Sequence, residues 1–143
     1  MNQEELNRRQ QELVDEFAMF DEWMDKYEHI IELGKELPVL PLDEADDGHL
    51  IKGCQSRVWL DARLSDEGQV HYRANSDAII TKGLVSLMVR VLDGLSPATV
   101  VGAELWFLDD IGLKSHLSPT RANGLLAMVK QMKMYGLAFQ AKA

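Results

Sequence analysis

Arg57-Val58-Trp59-Leu60-Asp61-Ala62-Arg63-Leu64-Ser65-Asp66-Glu67-Gly68-Gln69-Val70-His71-Tyr72-Arg73-Ala74 is the stretch on which the fold turns. Val58, Leu60, Ala62 and Leu64 alternate with Trp59, Asp61 and Arg63, and after Asp66-Glu67-Gly68 the alternation resumes around Val70 and Tyr72. A period of two places one set of side chains on an apolar face and the other outside, with a turn between: a β-hairpin. Two strands alone are marginal in water, so a third short strand or a covering layer of helices is required. The stretch before the first strand and that around Val100–Leu105 are the two places able to supply it.

Beyond the hairpin the period changes to that of a helix. After Ser76 or Asp77, either able to cap, Ile80, Leu84, Leu87, Met88 and Val91 form one apolar stripe that ends at Asp93-Gly94. Ser96-Pro97 and Ser118-Pro119 each pair a cap with a proline at the first helical position. The first opens a short helix ending near Gly102. A second short helix or turn spans Glu104 to Ile111 before Gly112, and the last helix carries Leu125, Val129, Met132 and Phe139 on one face. On the amino-terminal side, Glu4 to about Phe20 and Asp21 to Leu37 read as two amphipathic helices forming a hairpin. Asp21 is a cap for the second, and Pro38 is its stop. Pro38 to Gly53, with the acidic run Asp43-Glu44-Ala45-Asp46-Asp47, reads as an exposed loop, long for a compact domain. The architecture is α+β: a small antiparallel sheet of about three strands packed against helices in a single domain, 1–143.

With 143 residues, the chain can bury enough surface to fold without metal or disulfide. Its net charge of −8 is unevenly placed: residues 1–50 hold 15 acidic and 4 basic side chains, the remainder 8 and 11. An acidic chain argues against general nucleic-acid or anionic-membrane binding. A single cysteine forms no internal disulfide, the start MNQEELNRRQ lacks an apolar leader, and no run is long enough to span a membrane. The expected location is cytoplasmic.

The chemistry concentrates at Cys54, between the acidic loop and the first strand. The thiolate is the reactive form, and Lys52 and Arg57 can favour it electrostatically while Gly53 leaves room for a second reactant. Read by itself, such a cysteine is more often a small buried hydrophobe. His29, His49, His71 and His116 are not spaced locally to activate it, which leaves a cysteine hydrolase weakly supported. No paired-ligand spacing suits zinc, one thiolate cannot hold an iron–sulfur cluster, and no phosphate-binding glycine motif occurs. Gly83 and Gly124 read as close-packing points. Arg121 lies in the first turn of the last helix, where the dipole disfavours a cation, so a buried ion pair with Asp77 or another carboxylate is expected, with contact to the cysteine loop as the alternative.

Four motifs then stand in order: Tyr27-x-x-Ile30-Ile31-Glu32-Leu33-Gly34-Lys35-x-x-Pro38, Gly53-Cys54-Gln55-Ser56-x-Val58-Trp59, Ser76-Asp77-Ala78 with Gly83-Leu84, and His116-Leu117-Ser118-Pro119-x-Arg121-x-Asn123-Gly124-Leu125. Together they resemble the SufE family, sulfur acceptors that work with cysteine desulfurases in iron–sulfur cluster assembly. The resemblance implies a two-layer sandwich like that of the IscU scaffolds. It implies that Cys54 accepts sulfur as a persulfide from a pyridoxal-phosphate-dependent desulfurase, stimulates that enzyme and passes the sulfur to a cluster scaffold. The protein itself then needs no cofactor and no metal. Lys52, Gly53, Gln55, Ser56 and Arg57 are the expected positioning or partner contacts, with Asp77 and Arg121 in support. A noncatalytic adaptor of a desulfurase is the alternative.

Overall fold

The computed structural model describes residues 2–54 and 56–142. Helix α1 (Asn2–Phe17) and helix α2 (Trp23–Gly34) precede strands β1 (Val58–Leu64) and β2 (Val70–Ser76), followed by α3 (Ile79–Leu92), α4 (Pro97–Val101), α5 (Phe107–Asp110), α6 (Leu113–His116) and the long α7 (Pro119–Lys142). The hairpin pairs antiparallel from Val58 with Ser76 to Leu64 with Val70. Val58, Leu60, Val70, Tyr72 and Ala74 point into the core as the alternation requires. At the tip the burial gives out, and Leu64 is 39% exposed.

The sheet's edges are completed by single bridges rather than by a third full strand. Leu50 bridges Trp59 in the stretch before β1, while Val39 and Leu95 bridge Ala74 and Val70 on β2. The other stretch able to supply a strand, around Val100–Leu105, is taken up by α4 and the turn after it. These bridges also correct the reading of Pro38–Gly53 as simply exposed. Leu40 donates to Ala74 at 2.9 Å and Ile51 donates to Val58 at 2.8 Å, and both side chains are buried. The acidic segment between them stands out in solvent, as do Val39 and Lys52 on either side.

α1 and α2 meet where Glu16 and Phe17 contact His29, but each packs more extensively on α3 than on the other. Gly83 makes the α2–α3 contact possible, because a Cβ there would lie 2.3 Å from the Ile30 carbonyl oxygen. The α2 N-cap is Glu22 without a side-chain bond, so Asp21 does not cap it. Ser96 and Ser118 do accept from Thr99 N–H (3.3 Å) and Arg121 N–H (3.2 Å), as their Ser-Pro pairs predict. Inside the core, α7 is fastened to the sheet by two tyrosines. Tyr72 Oη donates to the Met132 carbonyl at 2.9 Å, and Tyr135 Oη donates to that of Leu60 at 3.0 Å. Each buried hydroxyl thereby satisfies a helix or strand carbonyl, and burial pushes both phenols above their ordinary pKa. These ties fix α7 beneath the segment that enters β1.

Candidate functional site

The chain between Ile51 and Val58 leaves and rejoins one backbone hydrogen bond, so residues 52–57 form a tight loop with Cys54 on it. Gly53 turns the chain at φ +92°, a conformation that a side chain would strain. The far limb of the loop is held by the end of β2. Asp77 Oδ1 accepts the Arg57 N–H at 3.0 Å, and Ser76 Oγ donates to the Arg57 carbonyl at 2.8 Å. Neither residue caps α3, contrary to the sequence expectation: the N-cap is Ala78, without a side-chain bond. The Asp77 carboxylate supports the cysteine loop instead.

Cys54 is half-buried, and its Sγ donates to the Gly124 carbonyl at 3.5 Å. A Cβ on Gly124 would rest 3.5 Å from that sulfur, an ordinary van der Waals contact, so the cysteine lies close against α7 at this glycine. Ser56, Thr81, Arg121 and Met128 line the narrow cleft around it. Arg121 Nη1 donates to Thr81 Oγ1 at 3.2 Å, which in turn donates to Ser56 Oγ at 3.4 Å. The expected ion pair of Arg121 with Asp77 is absent: among the described residues no carboxylate pairs with it. Arg121 reaches the cysteine loop only indirectly, through Thr81 to Ser56. Gln55 lies outside the described residues. Lys52 and Arg57 are exposed on the loop's surface.

Electrostatically the seat favours the neutral thiol. Burial alone pushes Cys54 above the ordinary thiol range, so Lys52 and Arg57 do not supply the activation expected of them. No histidine hydrogen-bonds the sulfur among the described residues. His29 pairs with Glu16 at 2.5 Å, His49 with Asp46 and Asp61, and His71 with Asp93, while His116 stacks on Trp23 at 4.5 Å. Among the described residues no group of three His, Cys, Asp or Glu is placed to hold a metal ion, and no helix is long and apolar enough to cross a membrane. The arrangement therefore offers a solitary nucleophile, held protonated and half-sheltered at rest, on a short loop tied to the end of β2.

Sequence reasoning located Cys54 but not its seat. Gly124 drew notice as a glycine in a helix interior, where it costs about 1 kcal/mol relative to alanine. Nothing in the sequence said what approached it. Thr81 and Met128 gave no signal, since neither belongs to the apolar stripe read for its helix.

Residues 11–136 match the family model described as SufE, Fe–S metabolism associated domain. An uncharacterized SufE-like protein of Rhizobium meliloti is 35% identical over 126 residues, 85% of this chain and 90% of its own. The solution structure of a hypothetical protein from Thermus thermophilus superposes with a TM-score of 0.76 at 19% identity, covering 93% of this chain and 96% of that one. That likeness establishes the shared fold.

Proposed function

The chain belongs to the SufE family, whose domain is associated with iron–sulfur metabolism, and from that premise we propose that Cys54 accepts sulfane sulfur from the persulfide of a cysteine desulfurase. The observation that carries the proposal is the place of the chain's one thiol: on a tight loop, seated against α7 with one long hydrogen bond to the Gly124 carbonyl, and not sealed in the core. A sulfur carrier needs both properties, shelter between transfers and the freedom to leave that shelter.

In the transfer, the Cys54 thiol loses its proton and its Sγ attacks the outer sulfur of the donor persulfide. A new Sγ–S bond forms, the donor S–S bond breaks, and the donor cysteine leaves as thiolate. The exchange moves one sulfur atom with no external oxidant or reductant. Displacement from the Gly124 seat removes the burial that holds the thiol neutral, so exposure and ionisation come together. Asp77 and Gly53 shape the loop from which the sulfur projects; Ser56 and Arg121 frame the cleft to which it returns. Pyridoxal phosphate belongs to the donor enzyme, this chain supplying only the acceptor thiol. The persulfide is then handed to an iron–sulfur cluster scaffold, in the cytoplasm.

The test is to incubate the protein with a pyridoxal-phosphate-dependent desulfurase and cysteine and to follow both intact mass and desulfurase turnover. One added sulfur, about 32 Da, together with faster turnover is expected, and Cys54→Ser abolishes both. Binding and stimulation without added mass would make the protein a regulatory adaptor instead.

A further inference from the structure

Helix α7 is apolar on both sides. Leu125, Met128, Met132 and Gly136 face the core, yet Leu126, Met134 and Leu137 on the opposite side are 50%, 51% and 56% exposed. A helix that is apolar all round is ordinarily covered on every side. The same helix carries no Asp or Glu in its 24 residues, although the chain has 23 acidic side chains against 15 basic ones. Its outer face is therefore an apolar, cationic surface on an acidic molecule.

That surface is continuous with the cysteine seat. Lys130 and Met134 line one shallow cleft together with Lys52, Leu50, Ala127 and, at its far edge, the acidic Asp47, and Ala127 is the residue that Gly53 approaches. Lys130 and Met134 also line the adjoining groove with Leu126 and Leu137. Arg8, Arg9, Lys35, Arg73, Arg90 and Lys114 are ion-paired within the chain. Among the described residues the other basic side chains have no carboxylate partner, and they include Lys52 and Arg57 on the cysteine loop, Arg121 in its cleft, and Lys130 and Lys133 on the outer face of α7. Cations left unpaired beside an apolar strip complement a partner surface that is apolar at its centre and carboxylate-rich at its edge.

We propose that the outer face of α7, Leu126, Lys130, Met134 and Leu137, with Lys52 across the cleft, is the docking surface for the sulfur-donating desulfurase, which meets it with an apolar patch rimmed by Asp or Glu. The proposal rests on the sulfur-acceptor reading and adds where the donor sits: along α7, so that its persulfide reaches Cys54 from the Ala127 side.

The experiment titrates the full-length protein and its variants against the desulfurase. Met134→Glu/Leu137→Glu is expected to weaken Kd at least tenfold, and Lys130→Glu several-fold with a shallower dependence on salt. Arg63→Glu, an equal charge change at the exposed hairpin tip, leaves Kd as in the unaltered protein. The substituted side chains are solvent-facing, so melting temperatures stay within a few degrees and loss of fold is excluded by circular dichroism. Unchanged Kd in the α7 variants, absence of binding by the unaltered protein, or a dimer of the free protein that the same substitutions dissociate would each overturn the assignment. Added sulfur on the unaltered protein is scored separately: its absence defeats the acceptor reading, while its presence alongside unchanged Kd values defeats only the docking surface.

Discussion

At Cys54 the protein keeps its reactive atom quiet by desolvation. The folded-state pKa lies above the ordinary thiol value, so the neutral seat contributes stability below that ordinary value and loses it as pH rises through the raised one. The thiolate fraction at neutral pH is correspondingly smaller than in an unstructured peptide. Alkylation of native Cys54 by iodoacetamide should accordingly be slower than that of the urea-unfolded chain at pH 7.5, with its half-rise displaced to higher pH. Equal pH profiles would mean that the seat does not govern the thiol. Cys54 could be singled out in the sequence as the proposed acceptor because the chain has one cysteine within a recognisable motif. Its electrostatics were not legible. Lys52 and Arg57 are neighbours in sequence, but their side chains go to solvent, and the Gly124 carbonyl that meets the sulfur lies 70 residues away.

At the level of elements, loop and helices owe their placement to a few close approaches. The Arg57 N–H loses its acceptor in Asp77→Ala, which should leave the fold intact while speeding both amide exchange across residues 52–57 and Cys54 alkylation. Exchange and alkylation at the unaltered rates would remove Asp77 from the loop's support. Glycine substitutions separate packing from seat. Gly83→Ala forces a methyl to within 2.3 Å of the Ile30 carbonyl and should destabilise the protein by about 3 kcal/mol or more, the upper range of overpacking. Gly124→Ala adds a methyl at ordinary contact distance from the sulfur, so its melting temperature should hold or rise while Cys54 alkylation slows. Thermal melts and alkylation rates on the two variants distinguish them. The hairpin was readable because a period of two and a turn are both local, and the Ser-Pro helix starts were readable for the same reason. Neither the edge bridges at Val39, Leu50 and Leu95 nor the packing of α1 and α2 on α3 had a local signature, since each depends on what the rest of the chain leaves uncovered.

Across the whole molecule, charge organises the architecture. The acidic amino-terminal third is tied to the core through Glu16, held below the ordinary carboxylate range chiefly by Arg90 and further by His29. A depressed carboxylate stabilises above its ordinary pKa and ceases to do so as pH falls through the lowered value. Arg90→Gln should therefore lower the melting temperature more at pH 7 than at pH 3; an equal loss at both would assign the effect to packing. Helix α7, free of acidic residues, fastens the sheet, forms the floor beneath Cys54 and leaves its outer face apolar and cationic. The sequence disclosed the imbalance of charge but not its geometry, because two halves of opposite character fold equally well interleaved or apart.

The most direct measurement is made on the peptide that carries Cys54. After incubation with desulfurase and cysteine, the protein is alkylated, digested and analysed by mass spectrometry. The account predicts that the Cys54 peptide is heavier by about 32 Da than its alkylated counterpart from untreated protein, the increment of one sulfur between Sγ and the alkyl group. A Cys54 peptide of unchanged mass under conditions in which the desulfurase binds and turns over would contradict it.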